Sequence, residues 1–121
     1  MSKNFITELK GQTNLPRWFS SIFNMLKDPV SGRLVIQLKD GRKFLLEGKK
    51  AGANAKIIVQ NENFFSRLVR EGHNGFSESY MDGWWDTPDL QAVLDFFLLT
   101  GDRIYGELVG TSLVRFYERL N

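Results

Sequence analysis

Few residues in this chain have the types and spacing that catalysis or metal binding requires. The single histidine, His73, cannot form a usual zinc site because the chain has no cysteine, and its position between Gly72 and Asn74 indicates a loop. Glu78 and Asp82 are four residues apart and would share a helix face, where paired carboxylates can transfer protons or, more commonly, face solvent. No glycine-rich phosphate loop or Gly-x-Ser-x-Gly elbow occurs. The sequence therefore predicts no catalytic set, no bound cofactor and no metal site.

The stretch FSESYMDGWWDTPDL, residues 76–90, is more informative because two tryptophans are adjacent in it. Trp84 and Trp85 would point to opposite faces of a strand, or lie about 100° apart on a helix, so one compact core does not readily hold both. We expect one indole to face the interior and the other to face a membrane, a partner domain or the last helix, with Gly83 allowing close backbone approach. The alternative is that both indoles pack under the C-terminal helices and bind nothing.

Length and composition indicate one globular domain. The chain has 121 residues and a formal net charge of +2, which is too balanced to indicate nucleic-acid binding. The absence of cysteine fits a reducing cytoplasm, and no apolar run forms a signal peptide or reaches the roughly 20 residues of a membrane-spanning helix. Any membrane contact is therefore expected to be peripheral, at the inner face. Ten phenylalanines and three tryptophans predict either an apolar ligand pocket or a phenylalanine-rich core.

The first half of the chain predicts a helix followed by three strands. Apolar residues recur with helical spacing over residues 15–27, and Asn14 and Pro16 are typical of a helix start. The Asp-Gly pair at residues 40–41 indicates a hairpin turn, and residues 48–54 indicate a loop. Alternation predicts strands at residues 33–38, 43–47 and 55–60.

The second half predicts helices interrupted by a short strand at Trp84 and Trp85. Asn61 is a candidate cap for the first of these helices, and Gly72 lies just past its end. Thr87 is the candidate cap of a later helix, because proline and aspartate follow it. The predicted helices cover residues 64–69, 76–82, 88–98 and 102–120.

We therefore predict an α+β fold in which helices cover a small antiparallel sheet, formed by a three-strand meander and the short added strand. Residues 1–121 would form a single domain. Its parts are an N-terminal helix at 15–27, the sheet at 33–60, helices and the Trp-Trp strand at 62–100, and a C-terminal amphipathic helix at 102–120.

Four basic residues lie on the strand side of the predicted domain: Arg42, Lys43, Lys49 and Lys50. Basic side chains near a membrane surface are attracted to anionic phospholipid headgroups. An ordinary solubilising surface would have the same composition, so both interpretations remain open here.

Residues 75–90, GFSESYMDGWWDTPDL, closely resemble a segment near the N-terminus of cyclopropane-fatty-acyl-phospholipid synthases and related S-adenosylmethionine-dependent methyltransferases. The resemblance extends back through GRLVIQLKDGRKFLLEG and AKIIVQNENFFSRLV, so it covers residues 32–99. The residues that match the pattern are Gly75, Glu78, Ser79, Tyr80, Met81, Gly83, Trp84, Trp85, Asp89 and Leu90.

The resemblance implies a non-catalytic N-terminal domain. The family enzyme transfers a methylene unit from S-adenosylmethionine to the double bond of an unsaturated acyl chain in a membrane phospholipid. Its cofactor belongs to a separate catalytic domain, whose glycine-rich loop is absent here. The implied partners are therefore a phospholipid or fatty acyl chain, and a methyltransferase domain in the same or another chain.

The order of elements is also similar to the sterol-carrier-protein-like fold, whose members enclose an apolar lipid tunnel between sheet and helices. That similarity implies that aromatic and apolar residues around the Trp-Trp strand would contact lipid. The residues expected to do so are Phe64, Phe65, Leu68, Phe76, Tyr80, Met81, Trp84 and Trp85.

Two other functions remain open on the sequence. A stand-alone lipid carrier of the sterol-carrier type would need a continuous buried cavity. A structural module would instead have a filled core and would bind a partner, or form a homodimer, through the predicted helix at 102–120.

Overall fold

The structure is a computed structural model that describes residues 5–29 and 31–99, so the predicted helix at 102–120 lies outside the described residues. Five strands and three helices are formed in these ranges. In chain order they are β1 (Phe5–Ile6), α1 (Phe19–Leu26), β2 (Ser31–Gln37), β3 (Lys43–Glu47), β4 (Lys50–Val59), α2 (Phe64–Met81), β5 (Trp85–Asp86) and α3 (Leu90–Leu99).

The strands form one mixed sheet in the order β1-β3-β2-β4-β5. The hairpin between β2 and β3 is antiparallel, and its turn is closed by a 2.9 Å hydrogen bond from the Gly41 amide to the Leu38 carbonyl. The predicted antiparallel meander is wrong, because β4 pairs in parallel with β2 instead of lying beside β3, and β1 pairs in parallel with β3. The short strand β5 is antiparallel to β4, so the added strand at the tryptophan pair is confirmed.

The parallel pairing arises because the chain passes from β3 across the start of β2 to its other edge. The expected loop at 48–54 is therefore mostly strand, since β4 begins at Lys50. This crossing brings backbone against backbone: a Cβ on Gly48 would lie 2.7 Å from the Pro29 carbonyl oxygen, and a Cβ on Gly52 would lie 2.7 Å from the Gly32 amide nitrogen. Glycine is required at such close approaches because every other side chain would displace the neighbouring strand.

Alternate residues of the three central strands are buried on one face of the sheet, and all three helices contribute side chains to the core on that face. The register places Leu34 opposite Leu46 on one side and opposite Ala55 on the other. Helix α1 contributes Phe19, whose ring centroid lies 4.8 Å from that of Phe44 in β3 and 5.1 Å from that of Phe65 in α2. The predicted phenylalanine-rich core is thus confirmed in the described residues.

Two predicted helix starts are displaced. Helix α1 begins at Phe19, not near residue 15, because Asn14 and Trp18 both adopt left-handed backbone with φ of 55° and 72°. Helix α3 is capped by Asp89, whose side-chain oxygen accepts a 3.1 Å hydrogen bond from the Ala92 amide. Thr87, the predicted cap, instead accepts a hydrogen bond from the Asp89 amide and so positions the capping residue.

Helix α2 begins at Phe64 as predicted, but the residue at its N-terminal cap position differs from the prediction. Asn63, not Asn61, precedes its first residue, and the Asn61 side chain accepts a 2.9 Å hydrogen bond from the Asn63 amide. The predicted break at Gly72 is confirmed, with φ of 58° and ψ of −134°. The loop expected around His73 is wrong, because the backbone returns to helix directly after Gly72.

We expect Gly52→Ala to destabilise the fold by about 1–3 kcal/mol, because the new methyl group would overlap the backbone of β2. The measurement is urea unfolding monitored by circular dichroism. Ala51→Ser, at the exposed neighbouring position, is the control and should change the free energy of unfolding by less than about 0.5 kcal/mol. Equal stability of Gly52→Ala and the native chain would contradict the tight crossing of β4 over β2.

Candidate functional site

The tryptophan motif begins at a sharp corner in α2. In a continuous helix, residues 67 and 75 would be about 12 Å apart along the axis. Here Gly72 turns the chain back, so that a Cβ on Gly75 would lie 2.7 Å from the Arg67 carbonyl oxygen. The part of α2 before Gly72, its first arm, therefore packs directly on the part after Gly72, its second arm. The ring centroids of Phe64 and Phe76 are 6.2 Å apart.

The second arm ends in a hydrogen-bonding pattern that turns the chain towards the sheet. Gly83 has a φ of 80°, its amide donates to the Tyr80 carbonyl at 3.1 Å, and the Trp84 amide donates to the Ser79 carbonyl at 2.8 Å. These two bonds are those of a Schellman motif, in which glycine adopts the left-handed conformation after the last helical turn. Gly83 thus sets the direction in which the two tryptophans leave the helix. The close backbone approach expected at this glycine is wrong, because a Cβ built there would meet no described heavy atom within 4 Å, and the positive φ is what requires glycine.

Trp85 is the inward-facing member of the pair and is only 1% exposed. Its indole Nε1 donates a 3.0 Å hydrogen bond to the Phe76 carbonyl oxygen. Its ring lies 4.7 Å from the rings of both Phe76 and Tyr80, while its backbone pairs with Val59 of β4. A buried indole usually requires such an acceptor for its N–H group, and here the acceptor belongs to the corner of α2.

Trp84 is the outward-facing member and is half-buried. The guanidinium carbon of Arg67 lies 4.8 Å from the centre of its ring, within the range of a cation–π contact. Its carbonyl oxygen accepts hydrogen bonds from the amides of Gln60 and Asn61 at the end of β4. The alternation expected for adjacent residues in a strand thus gives the two indoles different surroundings.

Arg67 also joins the two arms of α2 electrostatically. Its guanidinium nitrogens lie 2.7 Å from Asp82, 3.2 Å from Glu71 and 3.4 Å from Glu78. The hydrogen bond to Asp82, followed by that to Glu71, raises the pKa of Arg67 above its already high ordinary value. Glu78 and Asp82 do share one helix face, as their spacing predicts, and both bind this arginine.

The sequence analysis did not identify Arg67, although one signal was available. Arg67 and Glu71 have the i,i+4 spacing of a helical ion pair. The contacts to Glu78 and Asp82 depend on the corner at Gly72, which sequence spacing alone does not specify.

Most of the residues predicted to contact lipid fill the core. Those that are at most 4% exposed are Phe64, Phe65, Leu68, Phe76 and Trp85. The void among the core side chains has a volume of about 10 Å³, which is about one water molecule in size and far below the roughly 300–1,000 Å³ of ligand pockets. An acyl chain could enter this part of the core only by displacing those side chains.

The other three predicted lipid contacts lie nearer the surface. Met81 is 55% exposed, and Tyr80 and Trp84 are half-buried. Arg67, which contacts Trp84, is itself bound by three carboxylates. Contact of these residues with phospholipid stays a prediction, and the local charge does not favour an anionic headgroup.

The structure separates the predicted headgroup cluster into two parts. Lys43 pairs with Gln37 at the end of β2, whereas Lys50 pairs with Ser31 at its beginning, beside Lys49. Six strand residues separate these positions, which corresponds to about 20 Å. The four basic residues therefore do not form one binding site, although contact of either part with headgroups stays a prediction.

Arg42 has a structural role that reduces its availability to a headgroup. Its guanidinium donates to the carbonyl oxygens of Thr13 and Asn14 at 2.8 and 3.0 Å, and it binds Asp40 at 2.7 Å. Asp40 accepts from both the side chain and the backbone amide of Arg42. These contacts hold the segment before α1 against the β2–β3 turn.

The described residues contain neither a group of side chains suited to metal binding nor a helix able to cross a membrane.

Besides the small void in the core, a more open cavity of about 300 Å³ lies between the end of α1 and β3. Its lining residues are Thr7, Lys27, Asp28, Leu45, Leu46 and Glu47.

Two curated proteins match part of the chain. The cyclopropane-fatty-acyl-phospholipid synthase of Escherichia coli strain K12 is 45% identical over 49 residues, which are 40% of this chain and 13% of that enzyme. The synthase of Escherichia coli O6:H1 strain CFT073 matches with the same identity and coverage. The matched part therefore spans only a small fraction of these curated relatives. No family model and no solved structure matches the chain.

The comparison confirms the link between this chain and cyclopropane-fatty-acyl-phospholipid synthases that the motif predicts, and thus a relationship to a family of lipid-modifying enzymes. The assignment to a non-catalytic N-terminal domain and the likeness to sterol carriers stay predictions. The geometry adds that the Trp-Trp motif, as folded here, specifies a packed corner between helix and sheet.

We expect Trp85→Phe to lower the free energy of unfolding by about 2 kcal/mol, because it removes the hydrogen bond to Phe76 and leaves space in a filled core. Trp84→Phe is the matched control: it keeps a ring beneath Arg67 and should cost less than about 1 kcal/mol. Urea unfolding of both variants makes the comparison. A larger loss for Trp84→Phe than for Trp85→Phe would contradict the assigned orientations.

We expect the ion pair between Asp40 and Arg42 to stabilise the fold fully above about pH 4 and progressively less at lower pH. The hydrogen bond from the Arg42 side chain lowers the pKa of Asp40 below its ordinary value of 3.8. The contribution is therefore complete above the pKa of the unfolded chain and is lost as the pH falls through the lower pKa of the folded state. Its size is modest because solvent screens an exposed pair.

Thermal unfolding between pH 2 and pH 7 tests this dependence by comparing the native chain with Asp40→Asn. The difference in melting temperature should be present at neutral pH and should disappear towards pH 2. A difference that stays constant over the whole range would show that the carboxylate charge is not involved.

Proposed function

We propose that the chain is a non-catalytic module of a cyclopropane-fatty-acyl-phospholipid synthase-like methyltransferase. In this function it helps to bind or position unsaturated membrane phospholipid for a methyltransferase domain in the same or another chain, and that domain would bind S-adenosylmethionine. The observation that carries the proposal is the 45% identity over 49 residues to synthases of this name. The absence of a catalytic motif from the sequence is consistent with the non-catalytic role.

The small size of the void in the described core supports lipid contact at the protein surface. A carrier of the sterol type would need an internal space of several hundred cubic ångströms to hold an acyl chain, whereas the void in the described core has about 10 Å³. Contact would then be peripheral, with the phospholipid remaining in the bilayer while the methyltransferase domain acts on it. A cytoplasmic protein at the inner face of the membrane fits this arrangement.

The packing of the two tryptophans favours a structural module as the second candidate function. The Trp-Trp motif is used for packing: Trp85 is buried, and Trp84 is covered on one side by Arg67. A module of this kind would hold a neighbouring domain or a second copy in place without binding lipid itself.

Flotation with vesicles separates the two candidates. The chain should float with vesicles of unsaturated phosphatidylglycerol and phosphatidylethanolamine, at protein concentrations where sedimentation velocity shows a monomer. No flotation at low salt, together with a concentration-dependent dimer, would support the structural module and contradict the lipid-handling function.

An activity assay tests the non-catalytic part of the proposal. With S-adenosylmethionine and unsaturated phospholipid vesicles, the chain alone should give no cyclopropane product detectable by mass spectrometry of the fatty acids. A purified synthase of this family is the positive control. Product formed in proportion to the concentration of this chain would overturn the non-catalytic assignment.

A further inference from the structure

Trp18 is exposed and also has a strained backbone. It precedes the first residue of α1 with a φ of 72°, a conformation that a bulky residue adopts only at a cost in free energy. Its side chain is nevertheless 43% exposed, so burial of the indole does not fully account for this residue type. Glycine would satisfy the backbone better, and the presence of tryptophan therefore points to a use for its exposed ring.

A second exposed apolar side chain lies on the same side of α1. Met25 is seven residues after Trp18, which places it about 10 Å further along the helix and only about 20° away around its axis. It is 41% exposed. We call the surface formed by Trp18 and Met25 the α1 flank. The residues of α1 that pack into the core are Phe19, Ile22, Phe23 and Leu26.

The chain leading into and through α1 carries only positive charge, whereas the far end of the helix is mixed, because Lys27 lines a cavity together with Asp28 and Glu47. Residues 9–27 contain Lys10, Arg17 and Lys27 and no aspartate or glutamate. The guanidinium of Arg17 lies 5.8 Å from the centre of the Trp18 ring, so one cation is adjacent to the exposed indole. Arg42, which binds the loop before α1, is neutralised by Asp40. The first acidic residues outside this range are Glu8 and Asp28.

The other exposed apolar residues of the described chain have different surroundings. Val69 and Met81 are 48% and 55% exposed and lie on α2, whose corner holds three carboxylates around Arg67. Anionic headgroups would be repelled from that corner and attracted to the α1 flank. The charge distribution thus distinguishes between two surfaces of similar apolar character.

We propose that the α1 flank inserts into the interface of an anionic phospholipid bilayer, an inference that rests on the lipid-handling function proposed above. Tryptophan is suited to the headgroup level because its ring is apolar and its N–H group can bond to water or phosphate. Methionine supplies a flexible apolar contact beside it. Arg17, beside the exposed indole, would bind a lipid phosphate while the core face of the helix stays buried.

Trp18→Gly provides a sharp test because glycine is compatible with the positive φ at this position. The variant should keep the native backbone and remain folded by circular dichroism, yet its partition onto vesicles of unsaturated phosphatidylcholine and phosphatidylglycerol should fall about tenfold. Met25→Ser should weaken binding in the same direction. Val69→Ser, which removes an equally exposed apolar side chain from α2, should bind as the native chain does.

The outcomes separate this inference from the function on which it rests. If the native chain floats with the vesicles and Trp18→Gly and Met25→Ser float equally well, the α1 flank is not the membrane surface, while the lipid-handling function stands. If the native chain binds vesicles of pure phosphatidylcholine as tightly as anionic ones, the role of Arg17 is overturned. If the native chain binds no vesicle at any salt concentration, the lipid-handling function fails as well.

Discussion

The buried indole of Trp85 is the interaction on which the tryptophan region of the fold depends. Its N–H group donates to Phe76 in the second arm of α2, its ring packs between that arm and the core, and its backbone extends the sheet beside Val59. Because one residue contacts helix and sheet together, the corner at Gly72 and the edge strand β5 are stabilised jointly. Arg67 closes the outer side of the same unit by contacting Trp84 and the carboxylates of α2.

This arrangement changes what the motif says about function. Its glycines and aromatic residues are accounted for by close packing, a helix end and a filled core, so its presence in a lipid-modifying enzyme family does not itself locate a lipid. A surface role for the domain must be sought where apolar side chains are exposed without nearby carboxylates. In the described residues, the outer side of α1 meets that condition better than the corner of α2.

The sequence was sufficient where local rules decide the structure and insufficient where distant segments meet. Alternation identified the strands and the Asp-Gly pair identified the hairpin, but alternation does not specify which edge of β2 accepts β4. The sequence predicts that the two indoles point in opposite directions. It does not predict that Trp85 is the buried one, because that depends on the hydrogen-bond acceptor at Phe76. Propensity placed the start of α1 too early, since it gives no indication that Trp18 adopts a left-handed backbone. The two pairs of basic residues, 42–43 and 49–50, are close in sequence but lie at opposite ends of β2, which spacing along the chain does not reveal.

The two-residue strand β1 has a consequence larger than its length suggests. A meander would require β4 to pair with the free edge of β3, and Phe5 and Ile6 occupy that edge by pairing with Lys43 and Phe44. The N-terminal segment therefore blocks a competing topology in addition to extending the sheet. A shortened chain that lacked it would have two edges open to β4, and misfolded or strand-exchanged forms would become accessible to a sequence whose core is otherwise unchanged.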